Sequence, residues 1–152
     1  MRILTAGLCA LALFALPVAA SAQDNWVTKT TGRSVDEAVD ALTSAIESAG
    51  ATVMATVDHS ANAASADLEL PKTTLVIFGN PKIGTPLMQE NRRVAIDLPQ
   101  KILIWDDNGQ TKIGYIASEA LAARHGLDPS SKSIGTMTGA LDKLSNAAAG
   151  SQ

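Results

Sequence analysis

The sequence predicts an α+β domain, a mostly antiparallel sheet with its one covered face packed by two main helices. Three observations carry that reading. A capped amphipathic helix spans Val35 to Ala49 and follows a single strand-like run. Four further strand-like runs succeed it, and the last two flank Asn108-Gly109, a pair whose tolerance of positive φ marks a tight hairpin. A second striped helix closes the chain after Pro129. The order is therefore strand, helix, four strands, helix, which places helices on one side of an antiparallel sheet.

The first residues read as an export signal. Arg2 opens an uncharged apolar run from Ile3 to Val18, and Ala20-Ser21-Ala22 matches a small-x-small cleavage pattern. Cleavage after Ala22 removes residues 1–22 and leaves no stable membrane anchor, because the run is short and holds Pro17. Cys9 lies inside the run and not at its end, so it is not a lipid-attachment cysteine. The expected location is the periplasm or outside the cell. Residues 23–152 form one domain of 130 residues, with net charge −4 against −3 for the full chain, since only Arg2 is lost. That length supports a proper core. The acidity excludes the basic footprint of a nucleic-acid binder. The only cysteine leaves with the signal, so neither a disulfide nor a thiol nucleophile is available. At 3% aromatic residues, stacking platforms for bases are not expected.

Asn25 to Thr30 reads as the first strand. Ser34 and Glu37 form a capping box, and Val35, Ala38, Val39, Leu42, Ala45, Ile46 and Ala49 make one stripe that Gly50 stops. Ala51, Val53, Ala55 and Val57 alternate on one strand face, and the same period carries His59 inward just past the strand end. Ser60 to Ala66 is a loop or a short helix. Thr73 to Phe78 is a more buried strand ended by Gly79. Gln89 to Pro99 reads as loop, with strand-like residues at Val94 to Ile96. Lys101–Trp105 and Thr111–Ile116 are the hairpin strands. Ser118 is placed as the cap of a short helix through Arg124, stopped by Gly126. The last helix, about residues 131–148, carries the stripe Ile134, Met137, Leu141, Leu144 and Ala148.

Several short motifs fall in this order: Asp58-His59; Leu70-Pro71-Lys72-Thr73-Thr74-Leu75; Phe78-Gly79-Asn80-Pro81; Gly84-Thr85-Pro86-Leu87-Met88; Asp97-Leu98-Pro99-Gln100-Lys101; and Arg124-His125-Gly126-Leu127. Together they resemble the family catalogued as domain of unknown function 302, from about Val35 to Leu127. One departure is the order Leu-Pro-Lys-Thr, where the family usually sets a basic residue before the Pro-Thr equivalent. The resemblance implies a compact α+β domain that is often dimeric or built into larger proteins, and no established reaction.

The stretch that could carry chemistry is Gly79 to Thr85, G-x-x-x-x-G-T after a strand. It is not a nucleotide P-loop, because Thr85 stands where that motif needs lysine, Lys82 is misplaced and Pro81 removes a backbone donor. Two readings remain. Thr85 can cap a helix with Pro86 in its first position, and the loop amides with Asn80, Lys82 and Gly84 can then hold an anion. Alternatively Gly79, Pro81, Gly84 and Pro86 only shape the turn. His59 has the same duality. At a strand end it suits a general base or a single metal ligand, but the favoured reading is a buried histidine whose ring nitrogens tie its loop to Phe78-Gly79-Asn80. His125 with Arg124 complements a helix C-terminus. Asp97 is expected to meet Arg92-Arg93 as a weak surface pair. Met54, Met88 and Met137 read as packing residues. The two histidines have no close carboxylates at ligand spacing, so no metal and no cofactor are expected. Three functions follow: a non-enzymatic module binding a small molecule or partner near His59 and Gly79–Thr85; a small enzyme with His59 as base and Asn80 or Thr85 at an oxyanion; and a structural module that pairs with a second copy.

Overall fold

The computed structural model describes residues 25–151. The export signal and its cleavage after Ala22 lie outside them. Five strands form one antiparallel sheet: β1 (Trp26–Thr31), β2 (Thr52–Asp58), β3 (Thr73–Gly79), β4 (Gln100–Asp107) and β5 (Gln110–Ile116), in spatial order β1-β5-β4-β3-β2. β2 to β5 are thus a plain meander, and β1 adds to its far edge. The helix α1 (Val35–Ser48) must carry the chain from one edge to the other. Four strand spacings are about 19 Å. Fourteen helical residues span about 21 Å, so the helix length matches the sheet width.

The capping box is present. Ser34 Oγ accepts from Glu37 N–H, Glu37 Oε2 accepts from Ser34 N–H at 2.8 Å, and the bonds from Ser34 hold the Glu37 carboxyl below its usual range. α1 and the last helix, α5 (Lys132–Ala149), pack together on one sheet face. Every residue of the predicted α5 stripe is buried, and Leu42, Ile46, Val76, Ile102, Ile104 and Ile113 are among the core residues they pack with. Each of the larger side chains among them contributes about 1.5–3 kcal/mol of burial free energy. β1 and the turn after it fasten the second half of α5: Lys29 Nζ reaches Asp142 Oδ1 at 2.6 Å, and Arg33 donates to the Ala147 and Ala148 carbonyls.

The hairpin is as predicted. Asn108 and Gly109 have φ of 56° and 87°, the primed turn that matches strand twist. On the opposite sheet face Trp26 and Trp105 meet edge to face, ring centroids 6.5 Å apart, above Gly114. A Cβ there would stand 2.9 Å from one ring and 3.0 Å from the other, so the pair requires glycine. Trp26 and Ile116 remain 44% and 45% exposed on this face.

Elsewhere the structure departs from the expected layout. β2 carries a bulge between Val53 and Ala55, so Val53 opposes Phe78 while Ala55 and Val57 oppose Ile77 and Leu75. The extra residue, Met54, moves Ala55 and Val57 to the other face from Val53, and the single alternating face does not exist. Residues 59–64 are a short helix, α2 (His59–Ala64), one of the two forms expected of this stretch, whereas residues 81–90 form a longer helix, α3 (Pro81–Glu90), that the layout did not include. Val94 to Ile96 belong to a 3-10 turn (Arg92–Ile96), not a strand. Ser118 does not cap its helix, α4 (Ser118–His125). The cap position is Ala117, and the Ser118 Oγ is buried without a hydrogen-bond partner. Gly126 closes α4 in the left-handed conformation, as expected.

Candidate functional site

The stretch after β3 builds the wall of a cavity. Phe78 ends the buried side of β3, and Asn80 turns the chain into α3 with extended φ of −131°. Its Oδ1 accepts from Lys82 N–H at 3.0 Å, and its Nδ2 donates to the Gly50 carbonyl. Asn80 is therefore the cap and Pro81 the first helical residue, which corrects the expected cap at Thr85. Asparagine wins because it precedes a proline already set to helical φ, and Ile83 and Gly84 then bond back to the Asn80 carbonyl. Those amides are spent within the helix. Pro86 sits inside α3.

Beyond α3 the chain is pinned by polar bonds. Asn91 caps the 3-10 turn through Arg93 N–H, and its Nδ2 donates to the His125 carbonyl at 2.7 Å. Asp97 then meets His125 Nε2 through Oδ2 at 2.6 Å and Arg124 through Oδ1 at 3.2 Å. Arg92 and Arg93 are not its partners. They face solvent on the turn, while the end of α4 is brought up to Asp97. The Leu98-Pro99 bond that follows is cis and leads into β4.

Between α3, this bend, the end of α1 and α5 lies a cavity of ≈380 Å³. Its surface is overwhelmingly apolar. Met54, Met88 and Met137 all line it, and these are all the methionines after the first residue. Thioether side chains adapt to irregular shapes. Phe78, Ile83 and Leu98 fill in around them. Gln100 Nε2 donates to Met137 Sδ at 2.9 Å. Lys143, exposed on α5, is the charged residue of this lining.

Of the predicted site residues, Gly79, Asn80, Pro81, Gly84 and Thr85 line this cavity. Lys82 faces solvent outside it and Pro86 is half-buried in α3. His59 is elsewhere. The register pairs Thr52 with Gly79 but Asp58 with Thr74, so His59 and Asn80 sit at opposite ends of the β2–β3 hairpin, about 20 Å apart along the strands. His59 is exposed as the first residue of α2, which overturns both its buried placement and its partnership with the loop. The structural partner at that end is Asp58. It accepts from Ser60 Oγ, from Ala61 N–H at 2.9 Å and from Lys72 Nζ at 2.9 Å, bonds that hold its carboxyl far below the usual range. Lys72 also reaches Asp36 at 3.2 Å beside a second, polar hollow of ≈360 Å³. Of the other charged residues around it, Arg33 donates to the Ala147 and Ala148 carbonyls and Asp106 accepts from Gly109 N–H. Asp58-His59 and Pro71-Lys72-Thr73 close the connection between β2 and β3.

Sequence reasoning missed the convergence of the methionines, read as packing, and the Asp97–His125 pair, 28 positions apart. The α5 stripe already aimed Met137 inward, and that was the available signal.

The sequence matches the family model described as Domain of unknown function DUF302 over residues 27–148. The chain belongs to the DUF302 family. The DUF302 match extends at both ends beyond the motif-bearing stretch 35–127. A solved DUF302 structure, an uncharacterized conserved protein from Bacillus stearothermophilus, superposes with a TM-score of 0.75 at 19% identity, over 82% of this chain and 98% of that one. It establishes the fold alone. Two relatives are named Fluoride-specific ion channel FluC 1, from Brucella suis biovar 1 (strain 1330) and Brucella abortus biovar 1 (strain 9-941). Each is 39% identical over 133 residues, covering 84% of this chain and 52% and 49% of theirs. The chain spans about half the length of these relatives. Among the described residues, no helix is long and apolar enough to cross a membrane.

Proposed function

We propose that this protein is an exported, non-enzymatic binding domain that holds a small apolar molecule in the methionine-lined cavity. The observation that carries the reading is the cavity itself, ≈380 Å³ and apolar apart from a few rim groups. Such a volume and lining suit a small-molecule site. The enzyme reading loses its geometry, because His59 is remote from Asn80 and Thr85 and the cavity's titratable lining residue is Lys143. We do not carry fluoride conduction to this chain, since the match takes in only half of the relatives so named. The test is titration of the mature protein with an environment-sensitive apolar dye. Bright, saturable binding is expected, abolished by Ala140→Phe, which fills the cavity from α5, and retained by His59→Ala. Dye binding that survives the filled cavity in a variant with a native melting curve refutes the reading.

The open sheet face supports a second proposal, self-association through Trp26, Trp105 and Ile116, which present an apolar patch on the side away from α1 and α5. Light scattering coupled to size exclusion checks it. A monomer at about 100 μM, weaker than specific pairing gives, removes it.

A further inference from the structure

We infer that the cavity takes a single-chain carboxylate amphiphile, its alkyl tail among the methionines and its anionic head at Lys143. This rests on the cavity being the binding site.

Two facts about the rim lead there. The first is which polar groups remain available. Asn80 has spent its Oδ1 on Lys82 N–H and its Nδ2 on the Gly50 carbonyl, and Gln100 Nε2 is turned onto Met137 Sδ. A ligand studded with polar groups would find few partners and would lose its hydration. A ligand with one polar end loses little. The second is charge. Lys143 has no hydrogen bond or ion pair among the described residues, while the neighbouring Asp142 is engaged by Lys29. The protein as a whole is acidic, at −3, so it exerts no general attraction on anions, and a local cation at the mouth of an apolar hollow selects for one. The tail follows from the lining. Thioethers and the Leu98 and Ile83 side chains conform to a flexible chain without fixing its length.

The experiment is dye displacement, below the micelle concentration, by dodecanoate, dodecanol and dodecylammonium, against the wild type, Lys143→Ala and Lys143→Glu. Lys143 is exposed, so these variants should fold. The wild type should prefer dodecanoate over dodecylammonium by about tenfold or more, as one charge-assisted contact provides. Lys143→Ala should level the three, and Lys143→Glu should invert the order. Shortening the acid should weaken binding about fourfold per methylene. Equal affinity of acid and alcohol for the wild type, with Lys143→Glu without effect, overturns the anionic head while leaving the apolar cavity standing. Failure of every chain to displace a dye that Ala140→Phe also fails to exclude overturns both.

Discussion

Asp97 and His125 offer the sharpest test of how the cavity wall is held. The perturbation is a double-mutant cycle, Asp97→Ala, His125→Ala and the pair. The Nε2–Oδ2 distance is 2.6 Å, with side-chain exposure of 7% for His125 and 25% for Asp97. A hydrogen bond to a charged group in such a place contributes about 1.5–3 kcal/mol. The cycle is needed because His125→Ala also deletes packing, and the coupling term isolates the bond. It should be clean, since Asn91 holds the His125 carbonyl independently at 2.7 Å and keeps the end of α4 in place. Asp97 to Arg124 is the internal control. It is 3.2 Å long with Arg124 68% exposed, and an exposed pair of that kind couples by about 0.5 kcal/mol or less. Urea unfolding at neutral pH gives the energies, and a coupling of about 2 kcal/mol corresponds to a melting shift of roughly 6–8 °C for a domain this size. Leu98 and Pro99 follow Asp97 directly into the cavity wall, so both single variants should also weaken dye binding. An Asp97–His125 coupling no larger than that of Asp97–Arg124 would show the pair to be incidental and the wall to be held by packing alone.

Three further outcomes follow from named contacts. Bonds from Ser60, Ala61 and Lys72 depress the Asp58 carboxyl, so its contribution exists above the usual carboxylate pKa and is lost as pH falls through and below it; the stability gap between wild type and Asp58→Asn should narrow from about pH 6 to about pH 2.5, measured by chemical denaturation, and a constant gap contradicts the assignment. Burial raises the Tyr115 hydroxyl above its usual value, a bond to Ser145 opposing in part; the unfolded chain then releases its proton first, stability falls as pH rises past about 10, and Tyr115→Phe should flatten that alkaline limb of the melting curve. Gly114→Val must push apart rings already 2.9–3.0 Å from a Cβ; it should cost about 1–2 kcal/mol and collapse the near-ultraviolet circular dichroism of the tryptophan pair, and an unchanged spectrum would mean the rings do not stack over this glycine in solution.

What the sequence made legible is what rests on local periodicity and caps. The Ser34–Glu37 box, the Asn108-Gly109 turn and the α5 stripe each act within a few residues, and each stands in the structure as read. What it hid is set by a count or by a distance. Met54 is one extra residue in a strand of seven, and because side chains alternate with period two, that single insertion sends Ala55 and Val57 across the sheet. The placement of His59 was inherited from the same period, so it failed with it. Asp97 and His125 are joined by the way α4 returns to the turn before β4, a relation no spacing rule encodes. The candidate site shows the same division. The glycines and prolines of Gly79–Pro86 announced a shaped segment, and Asn80 and Thr85 do border the cavity, but the cavity's chemistry comes from Met54 at the bulge, Met88 in the turn of α3 after Pro86 and Met137 on a helix far along the chain. Read one at a time each methionine is packing. Brought to one hollow with Lys143 at its rim, Met137 from the core, Met88 packed against it and the exposed Met54 form one continuous apolar wall.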